Sequence, residues 1–72
     1  MIEEEIKKRI LDGIPGCLVN VVVSGNRAEI KVVSESFEEM NRVQRDQAIY
    51  KFVKDYISEG TLHAVTVMAT TR

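Results

Sequence analysis

A chain of 72 residues holds one domain, residues 1–72, and no more. A domain this small buries only about 60% of its unfolded surface, which leaves little room for a deep enzyme cleft. With 44% hydrophobic and 29% charged residues it reads as a soluble globular domain, and its net charge of −1 argues against a protein whose main task is holding nucleic acid by charge.

Cys17 is the single cysteine, so no intrachain disulfide is available and the fold must stand on its core. That suits a reducing compartment, and a cytoplasmic protein is expected. No apolar stretch approaches the ~20 residues that a membrane span needs. The start, Met1-Ile2-Glu3-Glu4-Glu5, is acidic and lacks the basic-then-apolar pattern of a secretory signal.

Ile2, Ile6 and Ile10 recur at helical spacing, and Leu11 widens the stripe. Glu3, Glu4 and Glu5 in the first turn, followed by Lys7, Lys8 and Arg9, complement the helix dipole. Gly13 and Pro15-Gly16 stop this helix. The valine-rich run Leu18 to Ser24 predicts a strand, Ser24-Gly25-Asn26 a turn, and the alternating Ala28-Glu29-Ile30-Lys31-Val32 a second strand, together a hairpin.

Ser34-Glu35-Ser36 breaks the pattern, and Phe37 and Met40 are core plugs in a short turn or single helical turn. Asn41 and Gln44 form a capping box that opens a long helix. Val43, Tyr50, Val53 and Ile57 line its buried face, with Gln47 at the edge, while Ile49, Phe52 and Tyr56 form a second, partly exposed stripe. Gly60 ends the helix, and Val65-Thr66-Val67-Met68-Ala69 reads as a last strand. That strand must return beneath the helices and pair at one sheet edge. The expected fold is a two-layer α+β sandwich of order α-β-β-α-α-β, with helices on one face of a three-stranded sheet. Its expected core includes Ile6, Ile10, Val21, Ile30, Val32, Phe37, Val43, Tyr50, Val53 and Val65.

His63, the single histidine, stands at the mouth of the last strand. An imidazole there can bind a metal with one nitrogen and hydrogen-bond with the other, although a lone histidine is usually packed or solvated. Cys17 reads as a small buried hydrophobe. Nothing supports catalysis: one histidine, one cysteine and scattered carboxylates offer no nucleophile with a positioned base.

Val32-Val33-Ser34-Glu35-Ser36-Phe37-Glu38-Glu39-Met40-Asn41-Arg42-Val43-Gln44-Arg45, then Ile49-Tyr50, then Leu62-His63-Ala64-Val65, resembles the BolA family over nearly the whole chain. The resemblance implies a type II KH-like fold. It also implies an adaptor that pairs with a monothiol glutaredoxin and its glutathione and shares a two-iron two-sulfur ([2Fe-2S]) cluster, the isolated chain holding none. The role implied is cluster trafficking or iron sensing. The family's cluster-ligating histidine maps onto His63, with Arg42 and Ala64 as further expected partner contacts. Some bacterial members are described as DNA-binding regulators, which would use Arg42, Arg45, Lys51 and Lys54. A third reading is a protein-only interaction module with a structural His63.

The chain departs from the family pattern in several places. Glu39 stands where the family usually has glycine, Asn41 replaces serine, and Asp46 stands where some members carry histidine. The chain stops at Thr70-Thr71-Arg72, short of the tail common in relatives. Many members carry a second histidine or cysteine between the first two strands; here Ser24-Gly25-Asn26-Arg27-Ala28 has neither. Arg27 is permanently charged and a poor iron ligand. Gly13-Ile14-Pro15-Gly16 has the G-x-x-G form by which KH domains clamp nucleotides, but a type II KH fold places that loop between the consecutive helices. Here it reads as a helix stop.

Overall fold

A computed structural model describes residues 2–71, so Met1 and Arg72, which begin and end the readings above, lie outside the described residues. The element order is α1 (Ile2–Gly13), β1 (Leu18–Ser24), β2 (Arg27–Val33), a 3-10 turn (Glu35–Phe37), α2 (Arg42–Tyr50), α3 (Lys54–Ser58) and β3 (Ala64–Thr70). The expected α+β sandwich, with helices on one face of a three-stranded sheet, is present.

β2 is the central strand. It pairs antiparallel with β1, Leu18 opposite Val33 through Ser24 opposite Arg27, and parallel with β3, Arg27 opposite Ala64 through Val33 opposite Thr70. Alternation sets its faces: Ala28, Ile30 and Val32 are buried under the helices, while Arg27, Glu29 and Lys31 face solvent. The hairpin turn is Gly25-Asn26. Gly25 takes φ +59° and Asn26 does not take a positive φ, the pattern of a II′ turn, whose twist matches that of the flanking strands.

α1 buries Ile6 and Ile10 completely, but Leu11 is 38% exposed and does not widen the stripe. Two of its acidic residues make tertiary bonds beyond serving the dipole. Glu3 Oε2 accepts the Val23 N–H at 3.1 Å, covering part of β1, and Glu5 Oε2 accepts the Tyr56 hydroxyl at 2.9 Å. The Asn41–Gln44 capping box forms as expected, with reciprocal bonds of 2.9 and 3.0 Å. Glu39 takes an ordinary backbone path: among the described residues no non-glycine has positive φ.

The long helix is where expectation and structure part. It is two helices, broken at Lys51–Val53, where Phe52 and Val53 donate to Ile49 and Tyr50 in tight i→i−3 bonds. Its stripes are also largely exchanged. Val53 is buried as expected, but so are Ile49 and Tyr56 of the second stripe, whereas Val43, Tyr50 and Ile57 are exposed, at 64%, 40% and 37%. The break tightens the chain so that Ile49, Phe52, Val53 and Tyr56 all turn inward. Arg9 fills the opening: its Nη1 donates to the Phe52 carbonyl at 2.9 Å and to Asp55 Oδ1 at 2.8 Å, and its guanidinium lies 4.5 Å from the Tyr56 ring centre.

The core therefore comprises Ile6, Ile10, Cys17, Ala28, Ile30, Val32, Phe37, Ile49, Val53, Tyr56 and Leu62, with Val21 and Val65 packed partly buried against it. β3 is an edge strand, and α2 flanks its free side. The Tyr50 hydroxyl donates to the Val65 carbonyl at 3.1 Å and Arg45 Nη1 to the Ala69 carbonyl at 3.4 Å. α2 thus runs antiparallel to β3, with Tyr50 beside the start of the strand and Arg42 beside its finish.

Candidate functional site

His63 is held by its backbone on both sides. Before it, Gly60 turns the chain at φ +84°, and Leu62 drops a fully buried side chain into the core while its N–H donates to the Tyr56 carbonyl at 3.1 Å. The His63 N–H donates to the Asn26 carbonyl at 2.8 Å, and the Ala64 N–H reaches the same oxygen at 3.3 Å. The imidazole itself is exposed. This combination fixes the backbone in the sheet and leaves the side chain outside it, where an imidazole nitrogen can act as a donor.

The same bonds bring the hairpin turn against His63. The turn in which the resemblance leads one to look for a further histidine or cysteine is therefore its neighbour in space. Its residues Ser24, Gly25, Asn26 and Arg27 are exposed and include no histidine or cysteine. Among the described residues no group of three or more His, Cys, Asp or Glu side chains could hold a metal ion. The donor set fits one imidazole contribution to a metal group whose other ligands come from elsewhere. Cys17 is not a second donor: it is buried, and burial pushes its thiol pKa up, away from the thiolate that binds metal.

The expected partner residues separate. Ala64 is exposed beside His63, but Arg42 opens α2 at the opposite end of β3, about 20 Å away for a strand of this length. Arg42 lines a shallow groove with Met40, Arg45, Asp46, Met68 and Ala69. The four basic candidates for nucleic acid do not form one patch either. Arg42 and Arg45 stand at the start of α2, while Lys51 and Lys54 lie beyond its end. Arg45 is engaged internally, its Nε donating to the Met40 carbonyl at 3.0 Å in addition to the Ala69 bond. Lys51 Nζ lies 5.3 Å from the Phe52 ring centre. Gly13-Ile14-Pro15-Gly16 joins α1 to β1, as a helix stop should.

Sequence reasoning missed Asn26, which acts through a backbone carbonyl that no side-chain motif reveals. It also missed the anchoring role of Leu62, although that residue stands inside the quoted Leu62-His63-Ala64-Val65.

Residues 23–72 match the family model of the BolA-like proteins. The chain belongs to the BolA family. Among its relatives is the acid stress protein IbaG of Escherichia coli (strain K12), 30% identical over 71 residues that cover 99% of this chain and 84% of that protein. Among solved structures, the BolA domain of SufE1 from Arabidopsis thaliana superposes with a TM-score of 0.85 at 20% identity, covering 97% of this chain and 91% of the other, and shares the fold. Yeast Fra2 superposes with a TM-score of 0.66 at 27% identity, covering 96% and 77%. As a BolA-like protein the chain is a non-catalytic one, of regulatory or adaptor type. No helix among the described residues is long and apolar enough to cross a membrane.

Proposed function

We propose that this BolA-like chain is a cytoplasmic adaptor that binds a monothiol glutaredoxin with its glutathione and lends His63 as one ligand to a shared [2Fe-2S] cluster, in cluster trafficking or iron sensing. The reading includes the type II KH-like classification of the α-β-β-α-α-β fold. It is carried by one observation: the single histidine has a backbone pinned by Asn26 and Leu62 and an exposed side chain. The glutaredoxin would supply cysteine and glutathione thiolates. A neutral imidazole in place of one thiolate changes the cluster's charge and raises its potential. With no histidine or cysteine in the neighbouring turn, this chain supplies a single imidazole donor, so the isolated protein is expected to bind iron poorly. DNA binding is the weaker reading, because Arg45 spends its guanidinium on two backbone carbonyls and the remaining cations are dispersed.

The test mixes the protein with cluster-loaded monothiol glutaredoxin and records visible absorption and circular dichroism. His63→Ala is expected to change the mixed-cluster spectrum while leaving the free fold intact, since surface changes of this kind usually move stability by less than about 0.5 kcal/mol. An unchanged spectrum in a variant that still binds the glutaredoxin removes the ligand assignment. A large loss of stability would instead make His63 structural.

A further inference from the structure

The two edges of the sheet are treated differently. Along β3, α2 covers the outer side, with Tyr50 and Arg45 donating to the Val65 and Ala69 carbonyls. β1 is the other edge, with β2 on one side only. The hairpin sets which of its groups point outward. Ser24 and Arg27 close a two-residue turn, and a closing pair of this kind exchanges hydrogen bonds. Pairing then alternates. Ser24, Val22 and Asn20 bond to β2, while Val23, Val21 and Val19 turn their N–H and C=O groups away from it. The Val23 N–H goes to Glu3 Oε2 of α1 at 3.1 Å, as this alternation requires.

An outward row of backbone groups is a template for another strand unless it is guarded. The residues of β1, Leu18-Val19-Asn20-Val21-Val22-Val23-Ser24, include no proline and no charge that would deter pairing. The Glu3 carboxylate supplies a guard from outside the strand.

A second copy fits this edge by its own symmetry. Two β1 strands laid antiparallel about a two-fold axis at Val21 match over their whole length. Val19 then stands opposite Val23 of the second copy, Val21 opposite Val21, and Leu18 opposite Ser24. Outward backbone groups meet outward backbone groups. Val19, Val21 and Val23, the side chains packed on the core side, face only one another, and β-branched cross-strand pairs stabilise a sheet. Since α2 covers β3, each copy has one edge to give, so the pair closes as a dimer instead of extending into a fibre. In that dimer the Val23 N–H is the donor to the Val19 carbonyl of the second copy, and it is the group that Glu3 holds.

We infer that the edge of β1 is a pairing surface for β1 of a second copy, antiparallel about Val21, and that the Glu3–Val23 hydrogen bond keeps it closed. The contact is one short strand wide, so the pair is weak and a single bond on each copy shifts it. A net hydrogen bond is worth roughly two- to tenfold in an equilibrium constant. Releasing one on each copy should strengthen dimerisation on the order of tenfold.

The experiment compares the parent, Glu3→Ala and Glu3→Gln by sedimentation equilibrium over a concentration series, with amide hydrogen exchange by NMR. Alanine is the better helix former, so Glu3→Ala should fold; Glu3→Ser, also too short to reach Val23, repeats the test. The parent and Glu3→Gln, which keeps an acceptor oxygen on the same stem, should stay monomeric where Glu3→Ala forms a dimer. In that dimer the Val19 and Val21 amides should exchange at least tenfold more slowly than in the parent. Equal association of the parent and both short variants overturns the inference, as does a Glu3→Gln protein that pairs as readily as Glu3→Ala. Assemblies that grow past the dimer overturn the closed pair. A dimer abolished by Met68→Asp, with Val19 and Val21 exchanging as in the monomer, places the contact on the open sheet face and also overturns it.

Discussion

The Asn26 carbonyl accepts the backbone N–H of His63 at 2.8 Å, across 37 positions of sequence. This bond fastens the start of β3 to the β1–β2 turn and leaves the imidazole outside the sheet. Its geometry depends on Gly25, whose φ of +59° aims the next carbonyl.

Replacing Gly25 should therefore move His63. A β-branched residue at this φ costs about 1–2 kcal/mol, whereas asparagine tolerates it. Gly25→Val is expected to shift the His63 amide resonance and speed its hydrogen exchange, with the β1–β2 ladder retained; Gly25→Asn should resemble the parent. Equal His63 exchange in all three proteins would show that the turn does not position it.

At Gly13, the last residue of α1, the Phe52 ring occupies the space of a side chain. A Cβ built there would lie 2.4 and 2.5 Å from two ring carbons. Overpacking of this kind costs about 1–3 kcal/mol, and the better helix propensity of alanine returns up to about 1 kcal/mol. Gly13→Ala should lower the thermal midpoint by roughly 4–16 °C for a net loss of about 1–2 kcal/mol. An unchanged or higher midpoint would mean that the ring swings aside freely.

Arg45 is a structural residue in this fold, bonding the Met40 and Ala69 carbonyls. Arg45→Ala should cost about 1–2 kcal/mol, measured by urea denaturation. Any DNA binding should remain weak and steeply salt-dependent in both proteins. Tight, sequence-selective binding at physiological salt that disappears in a folded Arg45→Ala would favour the DNA-binding reading.

Asp55 ties α3 to α1 through Arg9. The Arg9 hydrogen bond at 2.8 Å holds the Asp55 carboxyl below its ordinary pKa, outweighing a smaller opposing effect of desolvation. A carboxyl whose folded pKa is depressed contributes stability above its unfolded value, near 3.9, and loses it as pH falls through the folded value. Asp55→Asn should have a lower urea midpoint than the parent at pH 7, the gap closing in acid. Both side chains are substantially exposed, so the gap should be small and shrink with added salt. A gap that persists in acid would point to packing rather than charge.

The sequence by itself determined the hairpin, the inward face of α1, the capping box and the burial of Phe37, because each is written in neighbours a few positions apart. It also singled out His63, by chemistry and by its place in Leu62-His63-Ala64-Val65. The tertiary structure alone decided which helix stripe is buried. Val43, Tyr50, Val53 and Ile57 carry as strong an apolar period as Ile49, Phe52 and Tyr56, and local spacing cannot rank two comparable stripes, of which the first keeps only Val53 in the core. The break at Lys51–Val53 ranks them, with Phe52 seated on Gly13 and Arg9 holding the freed carbonyl. The anchoring of His63 by Asn26 was equally illegible, because every residue type carries the same backbone carbonyl. Only the pairing of β3 beside β2 places that oxygen against the histidine.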